Sequence, residues 1–281
     1  MPSGQARARA ELASTVISAH GEVADVFITE RRGHARELAQ SAVRRGARRV
    51  LAWGGDGTLN EVASALAFQE VSLGIVAAGS GNGLARELNV DFRPEQAIAD
   101  ALRATPRAID LGEVNGRYFV NLAGVGFDAY VAAQFDRRGQ GRRRLAGYVS
   151  VATKALLTYT PQEYAITTAA GRTRPRAVLV TIANSAQYGN NARIAPGALV
   201  DDGLLDLVVV EERARWRTVL SLPRLFNGTV ARMPGCSINR VRHATIEADQ
   251  PMTFHVDGET ADGGTCLEVR VHPGALRVAV R

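Results

Sequence analysis

The chain has 281 residues, of which 46% are hydrophobic and 22% charged, and carries a formal net charge of +6. That balance belongs to a folded globular protein with apolar content for two ordinary cores, and it excludes a disordered or collagen-like chain. Two cysteines thirty positions apart, Cys236 and Cys266, with no His/Cys cluster beside them, exclude a disulfide framework and a zinc site and are expected as buried free thiols.

From Arg9 onward helix and strand patterns alternate: helix from Arg9 to His20, strand from Ala24 to Thr29, helix from His34 to Arg45. The run Arg48-Arg49-Val50-Leu51-Ala52-Trp53 reads as a strand and passes straight into Gly54-Gly55-Asp56-Gly57. Leu59, Val62, Ala63, Leu66 and Ala67 then recur at helical spacing. Thr58 with Glu61 three residues on is a capping-box pattern, which predicts that this helix starts at Thr58. Glycines at 54, 55 and 57 remove Cβ atoms from the turn, so backbone N–H groups can approach an anion at the positive end of the helix. Asp56 among phosphate-binding amides would repel such a ligand unless a divalent cation intervened, and Mg²⁺ accompanying ATP meets that need. The alternative is an ordinary strand-to-helix connection.

A second unit of the same design follows. Ser72-Leu73-Gly74-Ile75-Val76-Ala77 reads as a strand, Gly79-Ser80-Gly81-Asn82-Gly83 as a turn, and Leu84 to Leu88 as a short helix. Parallel strands of an open α/β sheet deliver such turns to one carboxyl edge, where ligands bind. Ser80 and Asn82 offer side-chain donors to phosphate oxygens, and Arg86 a fixed positive charge. Lys154 is the only lysine, so phosphate neutralisation rests on amides, Mg²⁺ and arginine rather than on a P-loop or kinase lysine. A helix from Pro94 to Ala104 closes this part.

After Pro106 the pattern changes to short strands. Asn115-Gly116 marks a hairpin between Ile109–Glu113 and Tyr118–Asn121. Further strands are read at Tyr164–Thr168, Ala177–Ala183, Leu205–Val210, Ala244–Ala248, Met252–Val256, Leu267–Val271 and Leu276–Val280, with a helix from Trp216 to Phe226 inserted. Many short strands imply a sandwich. Five arginines between Arg137 and Arg144 are concentrated enough to meet an anionic bilayer, and Leu145, Tyr148, Val149, Ala152 and Leu156 behind them follow helical spacing; a solvated loop before a packed helix is the alternative. Nucleic acid is disfavoured, because no aromatic interleaves the basic loop. No stretch reaches the roughly 20 apolar residues of a spanning helix, and Met1-Pro2-Ser3-Gly4-Gln5-Ala6-Arg7 has no apolar signal core. A cytoplasmic protein, at most peripheral to a membrane, is expected. The five histidines show no metal spacing, and His255, alternating with Asp257, is expected to pack or hydrogen-bond.

Gly54-Gly55-Asp56-Gly57-Thr58-Leu59-Asn60-Glu61, together with Gly79-Ser80-Gly81-Asn82-Gly83-Leu84-Ala85-Arg86, resembles the diacylglycerol kinase catalytic-domain family. That family includes sphingosine kinases and the bacterial YegS/BmrU-type lipid kinases. The segment from Ile194 through Asp202-Gly203 to Asp206 and the run Val256-Asp257-Gly258-Glu259 extend the resemblance in the family's order. It implies an N-terminal α/β domain with an NAD kinase/phosphofructokinase-like parallel sheet over residues 1–108. A C-terminal β-sandwich over 109–281 would bind the lipid, with the chain's tail returning to the first domain. The implied activity is ATP- and Mg²⁺-dependent transfer of a γ-phosphoryl group to a lipid hydroxyl, of diacylglycerol or a sphingoid base. An NAD kinase-like enzyme and a non-catalytic lipid- or nucleotide-binding regulator are the alternatives.

Carried over by resemblance, Thr29, Gly54, Gly55, Asp56, Gly57, Thr58, Asn60, Glu61, Ser80, Gly81 and Asn82 hold the nucleotide. Asp257 is the general base, Glu259 supports the metal-water network, and Asp56 is the competing base. A structural Mg²⁺ or Ca²⁺ would sit on the Asp202 carboxylate and the carbonyls of Leu199 and Leu204, oxygen ligands that suit either ion. Tyr188-Gly189-Asn190-Asn191 stands where relatives often show three glycines, which bears on acceptor choice. The implied partner is a lipid substrate at an anionic membrane surface, and a homodimer is compatible with it. One departure stands out: the family opens with an apolar strand entering an Asn-Pro-x-Ser-Gly turn, whereas this sequence begins at Met1-Pro2-Ser3-Gly4. A sheet one strand short, or a misplaced start, is expected.

Overall fold

The computed structural model describes residues 4–137, 155 and 159–281; residues 138–144 of the arginine cluster and most of the helical run behind it lie outside them. The chain divides into two compact units, one of residues 1–109 with 274–281 and one of residues 110–273.

The first unit contains α1 (Gly4–Ala19), α2 (His34–Arg44), β1 (Arg49–Gly54), α3 (Asp56–Leu66), β2 (Ser72–Ala77), α4 (Gly83–Glu87) and α5 (Pro94–Arg103). Strands β1 and β2 are parallel and run in register from Arg49 opposite Ser72 to Gly54 opposite Ala77. Leu73, Ile75 and Val76 are all buried, as expected of a parallel strand covered on both faces. Helix α3 buries Leu59, Val62, Ala63 and Leu66, the residues whose spacing announced it. A core of Ala13, Ile17, Val76, Ala97 and Ile98 joins α1 and α5 to the sheet.

Two local expectations fail here. Helix α3 begins at Asp56, with Gly55 at the N-cap and no side-chain cap, so Thr58 and Glu61 form no capping box. Glu61 instead accepts hydrogen bonds from the amides of Gly33 at 2.7 Å and Ala35 at 3.0 Å. It satisfies donors that the N-terminus of α2 would otherwise leave open. The stretch Ala24–Thr29 is not a strand: no ladder among the described strands includes it, and β1 pairs only with β2. Val23 is 98% exposed, and the Arg45 guanidinium lies over Phe27 at 5.1 Å.

β3 (Arg107–Val114) runs from the last residues of the first unit into the second, and β4 (Arg117–Phe119) follows it. Asn115 and Gly116 between them both have positive φ, 47° and 79°, which is the type I′ hairpin that Asn-Gly predicts. There follow β5 (Leu122–Gly126), α6 (Phe127–Arg137), β6 (Gln162–Glu163), β7 (Ala165–Thr168), β8 (Gly171–Thr173), β9 (Arg176–Ala183), β10 (Gln187–Gly189), β11 (Ala192–Arg193) and β12 (Leu205–Glu211). The chain continues with α7 (Arg215–Ser221), α8 (Pro223–Phe226), β13 (Cys236–Val241), β14 (His243–Glu247), β15 (Thr253–Val256), β16 (Glu259–Asp262) and β17 (Cys266–Val278).

One sheet runs β13-β12-β9-β5-β15-β16, and β17, β14, β7 and β8 neighbour one another in a second. Val180, Ile182, Leu207 and Phe254 of the first sheet share one buried cluster with Ile166, Ile246, Leu267 and Val269 of the second. Side chains from two inner faces filling one layer make this a β-sandwich. Where two C-terminal strands were expected, β17 is one: it pairs with β14 through Arg270 and, beyond Pro273-Gly274, with β2 at Val278 opposite Leu73. The helix expected from Trp216 to Phe226 is broken by Pro223, whose ring cannot continue a helix from α7. Cys236 is half-buried, and burial pushes its thiol up to about 11, but Cys266 is exposed, so only one thiol is as sheltered as expected. Among the described residues no helix is long and apolar enough to cross a membrane.

Asp206 of β12 is 7% exposed, and burial raises its carboxyl above the ordinary range despite Arg240 on the neighbouring strand. A raised folded pKa means that the charged form costs stability above the carboxylate range and that the cost fades as pH falls. Asp206→Asn is therefore expected to raise the melting midpoint at pH 7, with the gain shrinking toward pH 4 in a pH series of melts.

Candidate active site

Because β1 and β2 end in register, their glycine turns leave the sheet side by side and touch backbone to backbone. A Cβ on Gly79 would stand 2.6 Å from the Cα of Gly55, and one on Gly55 would stand 3.1 Å from the Cα of Gly79. A Cβ on Gly54 would meet the Thr58 side chain at 2.6 Å. None of these three glycines has positive φ; space, not backbone freedom, demands them. Gly79→Ala is expected to force the turns apart, costing about 1–3 kcal/mol as overpacking does. Thermal melts would detect this as a lower midpoint.

Asp56 fastens the two turns. As the first residue of α3, it accepts the Asn82 amide on Oδ2 at 2.9 Å and the Gly83 amide on Oδ1 at 2.8 Å. Asn82, in the left-handed region at φ 51°, closes its own turn: Oδ1 accepts the Gly79 amide and Nδ2 donates to the Gly79 carbonyl, both at 2.8 Å. Arg86 donates from Nε to the Gly81 carbonyl at 3.1 Å while its guanidinium lies over Phe92 at 4.8 Å. Asn82 and Arg86 therefore brace the turn from within. Gly81 is half-buried and Ser80 exposed. Asn60 accepts a long bond from Ser64 Oγ at 3.5 Å. Thr29 is exposed and ends no strand, and Glu61 accepts amides at the start of α2.

In the second unit Asp257 and Gly258 form the turn between β15 and β16, with φ 47° and 86°. The Asp257 carboxylate accepts the amides of Val120 at 2.9 Å, Asn121 at 2.9 Å and Leu122 at 3.1 Å. These donors fix the orientation of the carboxylate. Its own amide donates to the Leu122 carbonyl at 2.9 Å. Glu259, opposite Val256 in the hairpin, is half-buried.

The loop assigned by resemblance to a structural cation is held by protein groups. Asp202 Oδ1 accepts the Leu204 amide at 3.0 Å, and its Oδ2 lies 3.7 Å from Arg240 Nη1. Arg240 also donates to the Gly197 carbonyl at 3.1 Å, and the buried Asp110 accepts the Gly203 amide at 2.6 Å. A guanidinium beside Asp202 already supplies positive charge there, and Leu199 is 53% exposed. Among the described residues no three His, Cys, Asp or Glu side chains gather as a metal set. An ion held by the Asp202 carboxylate and the carbonyls of Leu199 and Leu204, as the resemblance implies, would share that carboxylate with Arg240.

A buried cluster escaped the sequence reading. Asp128 Oδ2 accepts hydrogen bonds from Thr181 Oγ1 at 2.9 Å and Tyr188 OH at 3.1 Å, and Oδ1 accepts the Ala129 amide at 2.8 Å. His255, as expected a packing residue, is 3% exposed; its Nε2 lies 3.3 Å from Asp128 Oδ2 but off the line of a hydrogen bond. A Cβ on Gly124 would stand 2.2 Å from that oxygen, so the glycine makes room for the carboxylate. His255 Nδ1 in turn faces the Gly258 amide at 3.4 Å, which carries the cluster to the turn holding Asp257. The signal was present: Leu122-Ala123-Gly124-Val125-Gly126-Phe127-Asp128 is a third passage from strand through glycine to helix.

With paired turns in the first unit and an amide-held aspartate in the second, known proteins place the chain. Residues 2–114 match the diacylglycerol kinase catalytic domain, and residues 121–280 match the YegS C-terminal NAD kinase beta sandwich-like domain. The chain belongs to the YegS/diacylglycerol kinase catalytic-domain family of lipid kinases. A probable lipid kinase, YegS-like, of Pseudomonas aeruginosa PAO1 is 34% identical over 270 residues, spanning 90% of this chain and 83% of that protein. Its namesake in Pseudomonas fluorescens Pf-5 is 32% identical over 266 residues, spanning 90% and 84%. Among solved structures, a diacylglycerol kinase from Bacillus anthracis str. Sterne superposes with a TM-score of 0.73 at 18% identity over 96% of this chain and 91% of that one. An NAD kinase from Archaeoglobus fulgidus in complex with ATP gives 0.57 at 12% identity, covering 99% and 90%. At such identities these two likenesses concern the fold: an α/β unit followed by a sandwich.

Proposed function

We propose that this family member transfers the γ-phosphoryl group of Mg²⁺–ATP to a hydroxyl of a lipid such as a diacylglycerol or a sphingoid base. The observation that carries the reading is the Asp56 carboxylate fastening two stacked glycine turns at the carboxyl ends of parallel strands. Bare amides at the start of α3 favour phosphate oxygens. The donor set also fits a hard cation: a carboxylate at the helix start, set among backbone amides of the second turn. Mg²⁺ would supply charge neutralisation between the phosphates and Asp56. Gly55, Gly57, Thr58, Ser80 and Gly81 would line the cradle around it.

Asp257 is assigned as the proton acceptor for the attacking hydroxyl. Its amide donors fix the orientation of its carboxylate, so its contribution is orientation first and proton acceptance late in the transfer. Glu259 would assist through water, and Asp56 is the second choice as base. The kinase works in the cytoplasm, against a membrane surface that presents its substrate. Purified protein with labelled ATP, Mg²⁺ and extracted lipids is expected to yield labelled lipid phosphate, which mass spectrometry would name. Absence of labelled lipid, or labelling of NAD supplied in place of lipid, would overturn the assignment.

A further inference from the structure

The two short helices α7 and α8 carry the largest concentration of exposed apolar side chains among the described residues. Trp216 is 59% exposed, Val219 37%, Leu220 70% and Phe226 49%. Residues 216, 219 and 220 stand at i, i+3 and i+4 and so share one face of α7. The same hairpin is anchored from its other side. Leu225, Met233 and the 2%-exposed Val230 pack on a buried cluster of Leu122, Ala183, Ile194 and Val208. Leu225 thus ties α8 to the core, while Trp216, Val219, Leu220 and Phe226 stay open to solvent.

Charge says what that outer side faces. From Arg213 to Ile246 the sequence has seven arginines and no aspartate or glutamate. Of these, Arg217 lies over the Trp216 ring at 5.1 Å, and Arg232 is exposed. Arg213 donates to the Pro234 carbonyl at 2.9 Å and Arg224 to the Arg232 carbonyl at 3.1 Å; neutral partners leave their charge uncancelled. Arg240 is the exception, since it lies 3.7 Å from Asp202. The acids that precede the run are Glu211 and Glu212, and Glu212 is paired with Arg176 at 2.5 Å. An apolar face set among uncancelled arginines is complementary to a surface with an oily interior and anionic headgroups. A tryptophan beside an arginine suits the boundary between the two.

We propose that the α7–α8 hairpin is a docking surface for an anionic lipid bilayer, with Trp216, Leu220 and Phe226 entering the headgroup region and Arg217, Arg224 and Arg232 contacting lipid phosphates. This surface shares no residue with the arginine cluster at 137–144 or with the residues assigned to phosphoryl transfer. It rests on the lipid-kinase reading only for its purpose, which is to hold the enzyme where its acceptor is dissolved.

The test is co-sedimentation of the full chain with vesicles of phosphatidylcholine alone and of phosphatidylcholine with about 30% phosphatidylglycerol, at low and high salt. Preferential binding to the anionic vesicles is expected, with a blue shift of Trp216 emission that Trp216→Phe removes. Leu220→Ser with Phe226→Ser is expected to weaken binding by about tenfold or more. Arg217→Gln is expected to weaken it by about fivefold, an effect that high salt erases. Melting curves matching the parent's would show that these surface variants fold. Variants that sediment like the parent, or a parent that binds neutral and anionic vesicles equally, would overturn the proposal. So would a parent dimer that the Leu220→Ser/Phe226→Ser variant dissociates, because the occupant would then be a second copy. Vesicle binding requires no turnover, so failure of the kinase reading and failure of this one are separable.

Discussion

Asp56→Asn is expected to lower phosphoryl transfer by a factor on the order of 10² to 10³, the scale seen when a group that stabilises transition-state charge is removed. It is also expected to weaken the first unit. In the parent, both Asp56 oxygens accept backbone amides of the second turn, at 2.9 and 2.8 Å. Hydrogen bonds to a charged acceptor are worth about 1.5–3 kcal/mol each. Asparagine keeps one acceptor and turns an NH₂ group toward the other amide, so donor meets donor. The expected cost is about 2–3 kcal/mol, a fall of roughly 4–8 °C in melting midpoint. The two effects separate in one further measurement. If Asp56 only fastens the turns, magnesium should not change nucleotide affinity in the parent; if it also anchors Mg²⁺–ATP, parent affinity should rise with magnesium and the Asn variant should lose that response. An Asn variant with parental turnover would remove Asp56 from the chemistry altogether.

What the sequence disclosed about this site was whatever is determined locally. Gly55 and Gly79 announce a turn because no other residue fits where two backbones cross at 2.6 to 3.1 Å of a would-be Cβ, and Gly54 because a Cβ there would run into the Thr58 side chain. Asn115-Gly116 announces a hairpin because both positions need positive φ, and the burial of Leu59, Val62, Ala63 and Leu66 follows from their spacing alone. Residues whose partners lie far along the chain were not legible. Glu61 looked like a cap for its own helix, but its partners are Gly33 and Ala35, and nothing local distinguishes one open helix end from another. Ala24–Thr29 has strand-like composition, yet a strand exists only through a neighbour. Asp128 and Thr181 are 53 positions apart and meet because β5 and β9 are adjacent in the sandwich. Asp202 matched a family motif, but Arg240, arriving from β13, decides its surroundings. The Asp257-Gly258-Glu259 run was readable as a turn bearing two carboxylates, while the three amides that grip Asp257 come from residues 120–122, beyond any motif window.

That grip sets the second large expectation. Asp257→Ala should cost the second unit about 3 kcal/mol or more, because it strips the acceptor from the amides of Val120, Asn121 and Leu122, which are 1%, 5% and 4% exposed. It also places alanine at φ 47°, a region that asparagine and aspartate enter far more readily. Asp257→Asn is the informative change. Asparagine tolerates the left-handed backbone, and its one carbonyl oxygen can still accept the Asn121 and Leu122 amides that share Oδ1 in the parent. The Val120 amide then faces an NH₂ donor, as in the Asp56 variant, so the expected loss is about 2–3 kcal/mol, read from urea unfolding. The same replacement removes every capacity to accept a proton. If Asp257 takes the proton of the lipid hydroxyl, kcat falls by about 10² to 10⁴ while ATP affinity stays near parental. If the carboxylate serves only to tie Val120–Leu122 to the β15–β16 turn, Asp257→Asn instead retains most of its kcat at temperatures where it is folded, and the base is reassigned to Asp56. The contrast between the alanine and asparagine variants thus separates scaffold from chemistry at a residue whose position in the fold gives it both tasks.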